Sequence, residues 1–105
     1  RDKLMRELTN EVKEQIREMV YNYLEEECET DRSQFDDNTN IIEDLDGDSL
    51  MFVELVELLR KQYDLSIQIQ NIGKYLLKNP AQTVGEVIDI CCLVYEKEDA
   101  IANEG

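Results

Sequence analysis

Residues 45–59 read Leu45-Asp46-Gly47-Asp48-Ser49-Leu50-Met51-Phe52-Val53-Glu54-Leu55-Val56-Glu57-Leu58-Leu59, and the change of character inside this stretch decides the fold. Ahead of Ser49 stand turn formers. Behind it Leu50, Val53, Leu55, Val56, Leu58 and Leu59 recur at helical spacing on more than one face. The spacing predicts a helix from Asp48 or Ser49 to about Tyr63, with Asp48 as its N-cap. A serine at such a start lies near unpaired backbone N–H groups and the positive end of the helix dipole, where a phosphate attached to its hydroxyl would be stabilised.

Upstream, Leu8, Val12, Ile16, Met19, Val20, Tyr23 and Leu24 form an apolar stripe on a helix from about Thr9 to Glu27. Residues 30–40, TDRSQFDDNTN, are rich in side chains that bond their own backbone, and read as a long loop pinned by Phe35. Ile41, Ile42 and Leu45 return it to apolar surroundings before the Asp46-Gly47 turn. Downstream, Ile67 and Ile69 alternate, but no other strand is on offer, so an extended connector is expected. Ile72, Tyr75, Leu76 and Leu77 mark a short third helix of about two turns, ended by Asn79-Pro80. Thr83 and Glu86 have capping-box spacing and open a last helix carrying Val84, Val87, Ile88, Cys91, Val94 and Tyr95. Beyond it a polar tail runs to Gly105. The expectation is an all-α, four-helix bundle with three longer helices, one short helix and a long first loop.

At 105 residues the chain is one small domain. Eleven basic against 25 acidic residues give a charge of −14, which disfavours nucleic acid and anionic membrane and favours partners with basic surfaces. Histidine is absent, so Ser49 has no obvious activating base and autonomous nucleophilic catalysis is not expected. Cys28, Cys91 and Cys92 do not make a disulfide framework or a zinc site and read as reduced thiols of a cytoplasmic protein. No apolar run approaches the length of a membrane span. Residues 1–7, opening on Arg1 with Met5 as a candidate natural start, are set aside as an extension, leaving a domain over 8–96 and a flexible tail over 97–105.

The stretch from Ile42 to Leu50, followed by Val53-Glu54-Leu55 and then Ile67, resembles the acyl carrier protein family, over roughly Val12 to Tyr95. The resemblance implies that Ser49 carries a 4′-phosphopantetheine arm, transferred from coenzyme A by a separate magnesium-dependent phosphopantetheinyl transferase. The chain would then be a monomeric carrier, a substrate of that transferase and of acyl-transfer or synthase enzymes. By the same resemblance Asp48 orients the serine and the metal in the transferase complex, although capping alone also accounts for it. Asp48, Leu50, Met51, Glu54 and Glu57 are the implied partner contacts. Leu50, Val53, Val56, Leu59, Ile67, Ile72 and Val87 are the candidates for sheltering an acyl chain, with plain core as the competing reading.

The chain also departs from the family pattern. Met51 and Phe52 are apolar where simple fatty-acid carriers tend to be polar, which suggests a hydrophobic partner contact or, for Phe52, a place in the core. Arg60-Lys61 replaces an acidic stretch, and Lys78-Asn79-Pro80 resembles polyketide and peptidyl carriers. A peptidyl carrier and an unmodified acidic helical adaptor are the alternatives. Asp44, Asp46 and Asp48 share the one-three-five spacing of a calcium loop, but Ser49 replaces its glycine and Leu55 its closing glutamate, so no metal site is expected.

Overall fold

The structure is a computed structural model that describes residues 7–45, 47 and 50–98. Among the described residues five α-helices follow in order: α1 (Asn10–Glu27), α2 (Ile41–Leu45), α3 (Leu50–Tyr63), α4 (Ile69–Lys78) and α5 (Val84–Lys97). A single 3-10 turn, Arg32–Gln34, interrupts the long first loop. Helices α1, α3 and α5 pack on one another. Each contributes its apolar stripe, so that Ile16, Val20, Leu24, Leu55, Val56, Leu59, Val87 and Val94 are almost completely enclosed. The all-α bundle is thus the observed fold.

Helix ends are set by the side chains the sequence supplies. The Thr9 hydroxyl accepts the Val12 N–H at 3.2 Å and starts α1. At α5 the capping box is complete: the Thr83 hydroxyl accepts the Glu86 N–H at 3.2 Å, and the Glu86 carboxylate accepts the Thr83 and Gln82 N–H groups at 3.0 and 2.8 Å. These backbone donors hold the Glu86 carboxyl below its ordinary range. Thr83→Ala should cost about 1 kcal/mol, read as a lower urea midpoint with unchanged slope, and an unchanged midpoint would contradict the role of the cap.

The first loop is fastened on two sides. Phe35 is buried and its ring lies 5.0 Å from that of Tyr21. The Tyr21 ring also carries the guanidinium groups of Arg17 and Arg32 at 4.7 and 5.2 Å. Both Arg17 and the Tyr21 hydroxyl donate to the Asp37 carboxylate at 2.6 Å. On the other side Val84 N–H bonds Thr39 O, Gly85 N–H bonds Asp37 O and Ile41 N–H bonds Gln82 O, at 2.8 to 3.0 Å. The loop is therefore tied to α1 by side chains and to the start of α5 by backbone.

The Arg17 hydrogen bond holds the Asp37 carboxyl below its ordinary value of 3.8, against the opposing effect of burial. A carboxyl depressed in the folded state stabilises above its unfolded pKa, and that contribution is lost as pH falls through the folded one. Urea midpoints measured from pH 7 down to pH 3 should therefore fall more steeply for the wild type than for Asp37→Asn. Parallel profiles would remove Asp37 from the acid response. Side-chain exposures of 37% for Arg17 and 44% for Asp37 keep the difference modest.

Three features differ from the sequence reading. Residues Ile41–Leu45 form a helix of their own, because Asn40 caps it, its amide oxygen accepting the Ile42 and Glu43 N–H groups at 3.0 and 2.9 Å. Helix α4 has ten residues and begins at Ile69 instead of near Ile72, leaving 65–68 as the connector. Helix α5 runs through Lys97, and the adjoining Glu98 is buried, its carboxylate accepting the Ser66 N–H at 2.7 Å. That bond takes the chain beyond Tyr95 back to the α3–α4 connector. Residues 1–6 and 99–105, the bulk of the expected extension and tail, lie outside the described residues.

Candidate functional site

Ser49, Asp48 and Asp46 lie outside the described residues, and their immediate neighbours Gly47 and Leu50 define the surroundings. Gly47 donates its N–H to Ile41 O at 2.9 Å, closing the turn from α2 towards α3. A Cβ at position 47 would lie 2.5 Å from Met51 Sδ and 2.6 Å from Ile41 Cγ2. The absent side chain is what lets the turn press against the first turn of α3. Ser49 is the residue that directly precedes Leu50, the first residue of α3 as described.

Around this junction several described apolar side chains are open to solvent beside the exposed Glu43, Asp44 and Glu54. Leu50 is 59% exposed, Ile42 55% and Val53 37%. Leu50 and Val53, two of the shelter candidates, are thus on the outside. Val56, Leu59 and Ile72 are in the packed core, and Ile67 is half-buried against it. Only Val87 of the seven lines a cavity beside the junction, whose volume is about 190 Å³. Its floor is Leu24, Leu55 and Val87, and Ile41, Ile42, Leu76, Pro80 and Ala81 form its walls. Met51 and Phe52 complete it, both half-buried against the core rather than projecting as a surface patch. Sequence periodicity could not find this lining, because it draws on all five helices and the α4–α5 connector together.

Met51 also lines an open groove of about 220 Å³, together with Glu27, Cys28, Leu45, Gly47, Leu50 and Glu54. Two of the acidic partner candidates already have internal bonds. Glu54 is exposed and its carboxylate accepts the Tyr23 hydroxyl, which together with burial raises the Tyr23 phenol above its ordinary range. Glu57 accepts from Arg60 at 2.7 Å, a bond that lowers its carboxyl pKa. The thiols of Cys91 and Cys92 are pushed up to about 12 and about 11 by burial, so both are protonated at neutral pH and behave as small core residues. Among the described residues no three His, Cys, Asp or Glu side chains gather as a metal site.

An apolar cavity and exposed apolar side chains thus stand beside the start of α3 in a small helical bundle. The class of protein is given by its relatives: this is a small helical carrier domain. The family model for a phosphopantetheine attachment site matches residues 18–90, which include the α2–α3 junction and the cavity. Over 101 residues the chain is 55% identical to a protein of Clostridium acetobutylicum named acyl carrier protein homolog, covering 96% of this chain and 98% of that one. It is also 38% identical over 58 residues to an acyl carrier protein of Chlamydia felis, covering 55% of this chain and 67% of that one.

The chain belongs to the acyl carrier protein family. It is a carrier and not an enzyme, and the family's cofactor is covalently held 4′-phosphopantetheine. No helix among the described residues is long and apolar enough to cross a membrane.

Proposed function

We propose that the domain over residues 8–96 carries acyl groups as thioesters on a 4′-phosphopantetheine arm attached to Ser49. In the cytoplasm it presents them to enzymes of fatty-acid, lipid or polyketide-type biosynthesis. The observation that supports this reading is the sequence position of Ser49: inside the matched span and directly before Leu50, the exposed first residue of α3 as described. The bound arm supplies a thiol that holds acyl groups as thioesters on a tether, which raises their effective concentration at a partner. The chain's own residues supply the rest. The start of the 14-residue α3 favours the attached phosphate through its N–H groups and dipole.

Partner enzymes with basic surfaces would meet Asp48, Leu50, Met51, Glu54 and Glu57. Because Glu54 already accepts from Tyr23 and Glu57 from Arg60, a basic partner group must compete with those bonds. Binding through them is therefore weaker than bare charge implies and falls as salt rises. The direct test is incubation with coenzyme A, magnesium and a broad-specificity phosphopantetheinyl transferase. The mass of the wild type should rise by one arm. An unchanged mass, with a control carrier modified in the same mixture, refutes the assignment.

A further inference from the structure

We propose that Met51 is the partition that sets the length of acyl chain this carrier shelters, and that its preferred cargo is an unsubstituted aliphatic chain of medium length. The inference rests on the reading of Ser49 as the attachment point and adds to it a residue and a cargo class. Three observations carry it. All ten side chains lining the cavity beside the junction are apolar, so a chain bearing a hydroxyl or an amine would bury a polar group with no side-chain partner. The volume of about 190 Å³, at roughly 30 Å³ per water-sized group, admits about six methylenes, and an acyl chain of about eight carbons keeps its carbonyl end at the mouth. Finally, Met51 lines both this cavity and the open groove beyond.

Met51 is therefore the shared wall between the two spaces. Its Sδ would lie 2.5 Å from a Cβ at residue 47, so the glycine there makes room for the thioether. An unbranched thioether can yield where a branched side chain cannot. Chains longer than the cavity must displace it to reach the groove, where Leu45 and Leu50 stand beside Glu27 and Glu54, and that displacement limits the wild type to the shorter chain.

The test uses the whole protein loaded in one step from butanoyl-, octanoyl-, dodecanoyl- and hexadecanoyl-coenzyme A by a phosphopantetheinyl transferase, with loading verified by mass. Hydroxylamine is then added. Its nitrogen attacks the thioester carbonyl, the arm's thiol leaves with a proton and a hydroxamate forms, so the cleavage rate reports how open the thioester is. Each buried methylene favours the sheltered state about fourfold, and octanoyl should be cleaved about tenfold or more slowly than butanoyl, with dodecanoyl less protected than octanoyl. In Met51→Ala the best-protected chain should shift to dodecanoyl, because the two spaces join. Met51→Leu, which keeps the volume, should retain octanoyl. Rates independent of chain length in the wild type, or an unmoved optimum in Met51→Ala, overturn the proposal while leaving attachment intact. A wild type that takes up no arm brings down both.

Discussion

Ser49→Ala is expected to accept no arm, an all-or-none loss visible in a single mass spectrum, while Ser33→Ala and Ser66→Ala are modified like the wild type. The chain has three serines. Ser33 lies in the 3-10 turn of the first loop and donates its hydroxyl to Asp31 at 2.5 Å. Ser66 is in the α3–α4 connector, its N–H held by the buried Glu98 carboxylate. Neither precedes a long helix in the way Ser49 precedes α3, and a helix start is what favours an attached phosphate. Partner enzymes that need the arm should lose all turnover with the Ala variant, while its helix content and urea midpoint stay near those of the wild type. An arm still found on Ser49→Ala would move the site to another hydroxyl.

Gly47→Ala is the second large effect. The added methyl group would meet Ile41 Cγ2 at 2.6 Å, Met51 Sδ at 2.5 Å and the Ile41 carbonyl at 3.3 Å. Met51 can swing, but Ile41 is buried and β-branched, and its carbonyl belongs to the bond that closes the turn. Relief requires moving α2 relative to α3, at a cost of about 1–3 kcal/mol for overpacking. The same shift would displace the approach to Ser49, so arm transfer should slow as well as stability fall. The pairing of the two losses is the informative result, measured as a urea midpoint and as an initial rate of modification. A variant as stable and as readily modified as the wild type would show that the turn has slack.

How much of this could be read beforehand depends on whether the signal was local. The α1 stripe and the Thr83–Glu86 capping box are written within one helix length, and both are found where the spacing put them. The five residues of α2 are too few to display a period, and their cap, Asn40, was hidden in a loop rich in similar residues. Helix α4 was read short because Ile67 and Ile69 mimic strand alternation, although Ile69 begins the helix. At the site, the proposal for Ser49 comes from its neighbours in sequence. The cavity was not legible there: Leu50 and Val53 share the apolar character of Val56 and Leu59 yet face solvent, since only tertiary packing decides which side of a doubly apolar helix is covered. Met51 and Phe52 are half-buried for the same reason.

The fastening of the first loop has a mechanical consequence. Three backbone bonds, from Ile41, Val84 and Gly85, join the α2 side of the cavity to the start of α5, so that wall and the helix behind it move as one piece. Another part of the lining is Leu76 on α4, a helix whose only fully buried side chain is Ile72. A container with one stiff side and one soft side swells towards the soft one. Filling the interior would therefore displace α4, together with its outward Lys74, Leu77 and Lys78, and a loaded carrier would present a different outline from an empty one at a distance from the serine itself.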